Sequence, residues 1–299
     1  AAFGWSEETH QTTGAIAEAD LARRDPAALA ALVALARSHP DYPLFDRAAA
    51  GLDPATRQRA LFEWLARWPD DIRKGPEDRP QWHFLLRVVH GRTWLWPVRN
   101  GEANAGFAYN YSVLSDACAR PADRAKAIGW LIHIVGDNQQ PLHGGHQMTA
   151  DFPATDRAGE LAFVRRTPDG EPTNLHQYWD KIVERGGARL PAGRSDWAGA
   201  IAAEWPRGRL PELDRKGYPQ ALFDSWLVET GELARLVAYQ GTFRQASADP
   251  ATAPSVTPRE NAVAFALAKR RIATGGYRIA DTLAAALRTA QASRRVCPR

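Results

Sequence analysis

Apolar residues recur at helical spacing along most of the chain, whereas strict apolar–polar alternation is scarce. The segment 12–23 carries the helical pattern. Residues 26–38 repeat it behind Asp25, a good N-cap, with Pro26 at the first helical position. Asp53 and Pro54 open a similar segment that runs to Arg67. The clearest helix is 121–139, whose apolar positions include Ala127, Trp130, Leu131, Ile134 and Val135. Segments 173–184, 218–239 and 258–289 complete the set, the last expected to be interrupted at Gly275–Gly276. Only 161–165 alternates well enough to suggest a short hairpin arm. Long loops are expected at 74–82, 91–106, 144–172 and 186–215, and no repeat, low-complexity stretch or dividing linker separates these segments. The pattern predicts a single all-α domain over residues 1–299 with many helices and at most a short hairpin.

Composition narrows the class without naming a chemistry. The 299 residues are 44% hydrophobic and 24% charged, which excludes collagen-like and wholly disordered chains. The longest apolar run, 27–36, is too short to cross a bilayer. A net charge of +4 is a small bias that selects no partner, and no concentrated basic stripe appears beyond Arg294–Arg295. Two cysteines cannot build a disulfide scaffold or a four-cysteine zinc site, so metal chemistry would fall to His, Asp and Glu. Cys118 and Cys297 could pair and tie the C-terminus to the body. The only methionine is Met148. Ala2 and Gly4 fit the small-residue positions of a signal-peptide cleavage site just before Trp5, with cleavage before Ala1 as the alternative. Export, to the periplasm or the exterior, is the expectation.

The strongest chemical signal is His133-Ile-Val-Gly-Asp137-Asn-Gln-Gln-Pro-Leu-His143. On a helix His133 and Asp137 leave the same face one turn apart, which is how a helix offers an imidazole and a carboxylate to one divalent ion. Pro141 should end the helix and set His143 on the following turn. A second pair, His176 and Asp180, follows in Asn174-Leu-His176-Gln-Tyr-Trp179-Asp180. Either pair alone would read as a surface ion pair. Two pairs with His143 beside the first favour a metal site.

Upstream stand Trp5 and His10, then Trp68-Pro-Asp70-Asp71-Ile72-Arg73 and Trp82-His83-Phe84. These blocks, in this order, resemble the S1/P1 nuclease family of the zinc-dependent phospholipase C and nuclease superfamily. Gly276-Tyr-Arg278-Ile-Ala280 is similar to the family's C-terminal helix signature. The resemblance implies an all-α fold holding three zinc ions. One would take Asp70, His83, His133 and Asp137; a second His143, His176 and Asp180; a third His10, Asp137 and the amine and carbonyl of Trp5. It further implies phosphodiester hydrolysis by a hydroxide held between the metals, oriented by Asp70, with Arg73 stabilising the phosphoryl oxygens. The alternative for Arg73 is an ordinary surface arginine. Phe84 could stack on a base of single-stranded nucleic acid or simply pack in the core. The expected products are 5′-phosphorylated fragments of single-stranded DNA or RNA, and the activity can extend to 3′-nucleotides. A monomer is expected.

The chain also departs from the family pattern. Trp5-Ser-Glu-Glu-Thr-His10 lacks both glycines of the family's opening motif, and Trp5 offers an amine only if nothing precedes it. Leu86 stands where family nucleases often carry an Asp or Asn that reads a base edge. Asp156-Arg-Ala-Gly-Glu160 carries a glutamate in place of an amide. Leu86, Glu160 and a tryptophan-bearing loop, Trp94 and Trp96, motivate a phospholipid or other phosphoester as alternative substrate. The N-terminus motivates a third reading, a metal-binding protein with little catalysis. Among the remaining residues, His39 and His90 are expected to be solvated or capping, and His146 is expected to be equally bland, with an alternative ligand or substrate contact as the lesser alternative. Trp64, Trp130, Trp197, Trp205 and Trp226 are expected in the core.

Overall fold

The computed structural model describes residues 5–90, 100–184 and 195–293. The chain runs α1 (Glu7–Arg24), α2 (Pro26–Ala36), α3 (Tyr42–Ala48), α4 (Pro54–Asp71), β1 (Arg87–His90), α5 (Ala103–Ser115), α6 (Pro121–Asp137), β2 (Gly145–Gln147), β3 (Phe163–Arg165), β4 (Pro172–Asn174), α7 (Leu175–Asp180), α8 (Ser195–Glu204), α9 (Pro219–Leu233) and α10 (Pro258–Ser293). The fold is all-α, with short strand pairs as its only sheet among the described residues: β1 with β2, parallel, and β3 with β4, antiparallel. No helix of the described residues is long and apolar enough to cross a membrane.

Local chemistry starts the helices where the sequence indicates. The Asp25 carboxylate accepts from the Ala28 N–H and the Asp53 carboxylate from Ala55 and Thr56, each followed by proline at the first helical position. Asn174 caps α7 by accepting from the Gln177 N–H. Helix α1 lies against α4 and α10, and α6 lies against α4, α5 and α10. One apolar cluster joins these helices around Phe62, Leu65, Phe107, Ile128, Leu131 and Leu283. A second gathers Trp5, Leu142, Leu175, Trp179, Tyr239 and Ile272. The segments that carry the expected ligands feed both clusters.

Several boundaries differ from the expectation. Helix α10 runs unbroken through Gly275 and Gly276. Those glycines instead admit α1: a Cβ at Gly276 would stand 2.5 Å from Ile16 Cγ2 and 3.1 Å from the Thr13 carbonyl oxygen. Helix α4 continues past Arg67 through Pro69, so Asp70 lies in its last turn. Helix α1 begins at Glu7 and includes His10, whereas α7 is confined to Leu175–Asp180. Helices α3 and α5 were not legible in the pattern, and α8 lies within a segment expected to be loop. The short arm at 161–165 is present as β3. His39 is buried rather than solvated: its Nδ1 accepts from the Asp41 N–H and its ring meets Trp64 and Trp68 edge-on. Trp130, Trp197 and Trp226 are buried as expected, while Trp64 and Trp205 are half-buried. Trp94, Trp96, Arg294, Arg295 and Cys297, and with it the expected Cys118–Cys297 pair, lie outside the described residues.

Candidate metal centre

Four elements deliver side chains to one buried point. His10 comes from α1, Asp70 from the end of α4, and His83 from the turn Pro80–His83. His133 and Asp137 come from the last turns of α6. Asp137 is the hub. Its Oδ2 lies 3.0 Å from both His83 Nδ1 and His133 Nε2, and its Oδ1 lies 3.2 Å from His10 Nε2 and 3.8 Å from His143 Nδ1. Asp70 stands at the edge of this group, 3.7 Å from His10 Nε2 and 3.8 Å from both His83 Nδ1 and His133 Nε2. The His10 and His133 rings stack with centroids 4.1 Å apart.

A neighbouring group forms where the turn Pro141–His143 meets α7. His176 Nε2 lies 3.7 Å from Asp180 Oδ2, and the His143 and His176 rings are 5.3 Å apart. Three sets of side chains therefore have ligand atoms within 4.8 Å of one another: His10, His133 and Asp137; Asp70, His83 and His133; and His143, His176 and Asp180. Each could hold a metal ion. Trp5 flanks both groups. It is buried, its indole N–H donates to the Gly136 carbonyl at 3.0 Å, and the next residue's N–H reaches the Asp180 carbonyl at 3.2 Å.

The hydrogen bonds behind the imidazoles fix which nitrogen faces the centre. His133 Nδ1–H donates to the Ala66 carbonyl at 2.7 Å, His143 Nδ1–H to the His83 carbonyl at 2.7 Å, and His176 Nδ1–H to the Ala158 carbonyl at 2.8 Å. These are the outer partners that orient metal-binding histidines. The Ala158 carbonyl is presented by a left-handed run, Arg157, Ala158 and Gly159, with φ of 55°, 57° and 85°. Such a conformation is costly for the two non-glycine residues. Gln140, whose side chain sequence reasoning passed over, donates to Asp180 Oδ1 at 2.8 Å. It stands in the Gln-Pro-Leu-His block, so its position was visible although its role was not.

Electrostatics supports a cation at this point. Burial alone would raise the Asp137 carboxyl, but His133, His143 and His10 around it hold it well below its ordinary value. Burial opposes charge on His133 too, yet Asp137 and Asp70 raise it to about 9. His143 is brought down to about 4 by burial and is a neutral imidazole. Burial pushes the Asp180 carboxyl well above its ordinary value despite Gln140, a cost that a cation would remove. Buried atoms that make no hydrogen bond of good geometry cluster here as well: both ring nitrogens of His10, His83 Nε2 and Asp137 Oδ1, although His10 Nε2 and Asp137 Oδ1 lie within ion-pair distance of each other. The nitrogen and oxygen donors, free of sulfur, suit a borderline divalent ion such as zinc.

Arg73 is half-buried, and its Nε–H donates to Asp70 Oδ1 at 2.9 Å. Phe84 is half-buried and lines a recess of about 230 Å³ that also takes in His143 and His176. Leu86, on the same wall, is buried. Behind the centre, Arg271 donates to the Asn138 and Gln139 carbonyls at 3.2 and 3.3 Å, just past Asp137. Arg278, from the C-terminal signature, donates to the Gln139 side chain at 3.3 Å and to Glu229 at 2.7 Å. Glu229 also pairs with Arg271.

No curated protein matches the chain significantly. The family model described as S1/P1 Nuclease matches residues 5–288, from Trp5 well into α10 and across every ligand candidate. The chain belongs to the S1/P1 nuclease family.

Proposed function

We propose that the protein is a zinc-dependent phosphodiesterase that hydrolyses single-stranded nucleic acid to 5′-phosphorylated products. The observation that supports this best is the convergence of four imidazoles on Asp137, with the His143–His176–Asp180 group alongside, in a member of a nuclease family. One ion would be held by Asp70, His83, His133 and Asp137, and a second by His143, His176 and Asp180. A third would be held by His10 and Asp137 with the main chain of Trp5. Zinc in such sets supplies a nucleophilic water at neutral pH and neutralises charge on the entering and leaving oxygens. Asp70 orients the attacking water, and the Arg73 guanidinium, steadied on Asp70, meets the phosphoryl oxygens as charge accumulates there. Phe84 offers a ring face to an unpaired base beside the second metal group. Residues 1–299 act as one functional unit, a reading supported by the extent of the family match, and the enzyme works as an exported monomer.

The purified protein is expected to cleave single-stranded DNA or RNA in preference to duplex, leaving 5′-phosphates. EDTA should abolish the activity and added zinc restore it. Full activity after exhaustive chelation would sink the metal mechanism. Hydrolysis of phosphatidylcholine micelles with no action on nucleic acid would move the substrate to lipid. A metal-loaded protein inert toward both would leave only metal binding.

A further inference from the structure

The left-handed turn behind His176 needs something to hold it, because Arg157 and Ala158 are in a conformation that side chains disfavour. Asp156, the residue just before the turn, supplies the hold. Its carboxylate is buried; Oδ1 accepts from the Gln147 N–H at 3.1 Å and Oδ2 from the Tyr239 hydroxyl at 2.7 Å. The N–H groups of Ala158 and Gly159, within the turn itself, also bond to this carboxylate. Burial pushes the Asp156 carboxyl up to about 6 against these donors, which leaves it ionised at neutral pH and able to accept on both oxygens. Tyr239 is buried as well and follows the π-helical turn Ala234–Ala238 at the end of α9. Such turns are rare. This one packs on β2, the strand that carries Gln147, so the two donors from outside the turn are set by one contact.

The turn in turn grips His176 at two points. The Gly159 carbonyl accepts the His176 main-chain N–H at 3.3 Å, and the Ala158 carbonyl accepts the ring Nδ1–H at 2.8 Å. Contact is close, since a Cβ at Gly159 would stand 3.0 Å from the His176 nitrogen. A rotation of the peptides at 157–159 would therefore swing the Ala158 carbonyl away from the ring. The opposite ring nitrogen, Nε2, is the one that faces Asp180. We propose that Asp156 and Tyr239 are positioning residues for the His143–His176–Asp180 metal group: they lock the 157–159 turn, and the turn aims His176 Nε2 at the ion. Neither residue touches the ion. The proposal rests on the reading of that group as a metal site, and it assigns a task to a buried carboxylate and a buried phenol that stand outside the ligand sets.

Zinc affinity by chelator competition on the full chain, with metal content counted alongside, tests this without an activity assay. Asp156→Asn keeps the size but replaces one accepting oxygen by an N–H2 donor. It should weaken one zinc-binding step ~10–100-fold, the range for an outer partner, and leave the other steps as they are. Tyr239→Phe, a milder change should the first variant fold poorly, should weaken the same step about tenfold. In a His176→Ala background neither substitution should remove further zinc, because both act through that ring. Adding Ala158→Gly to Asp156→Asn removes a side chain that opposes the left-handed turn and should recover part of the lost affinity. Equal weakening of every step, further loss on top of His176→Ala, or no recovery with Ala158→Gly would each overturn the proposal. So would wild-type affinity in both single variants when His176→Ala alone loses zinc. If His176→Ala loses none, the metal reading of that group fails instead.

Discussion

Both oxygens of Asp137 are engaged by imidazoles, and replacing one oxygen by an amide removes the charge that gathers them. Asp137→Asn should cost bound metal and lower turnover by more than the ~10–100-fold expected for loss of an outer partner. Metal counting beside a cleavage assay checks both. Gln140 is such an outer partner, and Gln140→Ala should weaken metal binding at the Asp180 group by ~10–100-fold, measurable with a competing chelator. His133 adds a pH dependence. Its metal-free imidazole is raised to about 9, so below that pH an incoming ion must displace a proton. Apparent zinc affinity should therefore rise with pH up to about 9, by as much as tenfold per unit for one proton; a flat profile from pH 6 to 8 would contradict this. At this scale the sequence was most readable where ligands follow helical spacing, as in His133–Asp137 and His176–Asp180. Asp156 was less so, because the donors that surround its carboxylate are brought to it only by folding.

The elements show where pattern and packing part company. Helix α5 contains Asn, Gly, Tyr and Ser in a weakly amphipathic stretch, which gives little intrinsic preference for a helix. It is stabilised by tertiary contacts instead: Phe107 and Leu114 are fully buried, and Phe107 stacks on Phe223 of α9 with centroids 4.2 Å apart. The glycine pair in α10 misleads in the opposite sense, since it reads as a break and serves as a crossing point with α1. Alanine at 276 would gain about 1 kcal/mol of helix propensity. It would also meet Ile16 and the fixed Thr13 carbonyl, and overpacking of that kind costs ~1–3 kcal/mol. Gly276→Ala should on balance lower the melting temperature. Because α1 carries His10, it should also reduce metal content more than a comparable surface substitution.

Across the whole molecule, the last two long helices contribute none of the proposed ligand side chains and still brace the centre. Glu229 on α9 pairs with Arg271 and Arg278 on α10, and those arginines reach the residues just after Asp137. Burial opposes the charge on Glu229, but the two guanidiniums lower its carboxyl from 4.5 to about 2. A depressed folded value means that the pair stabilises fully above about pH 4.5 and that this stability is lost as pH falls toward 2. The difference corresponds to about 3 kcal/mol. Glu229→Gln should destabilise the fold by ~3–5 kcal/mol near neutrality, because it leaves two buried arginines without a counter-charge. It should also flatten the stability profile between pH 4.5 and 2, which unfolding at a series of pH values would reveal. The family match spans both the ligands and this brace, yet the two are far apart along the chain. That separation sets a timetable for biogenesis. Every proposed ligand leaves the ribosome by residue 180, while Arg271 and Arg278 emerge only with the final helix. The bracing of Asn138 and Gln139 can therefore form only after α10 has been made.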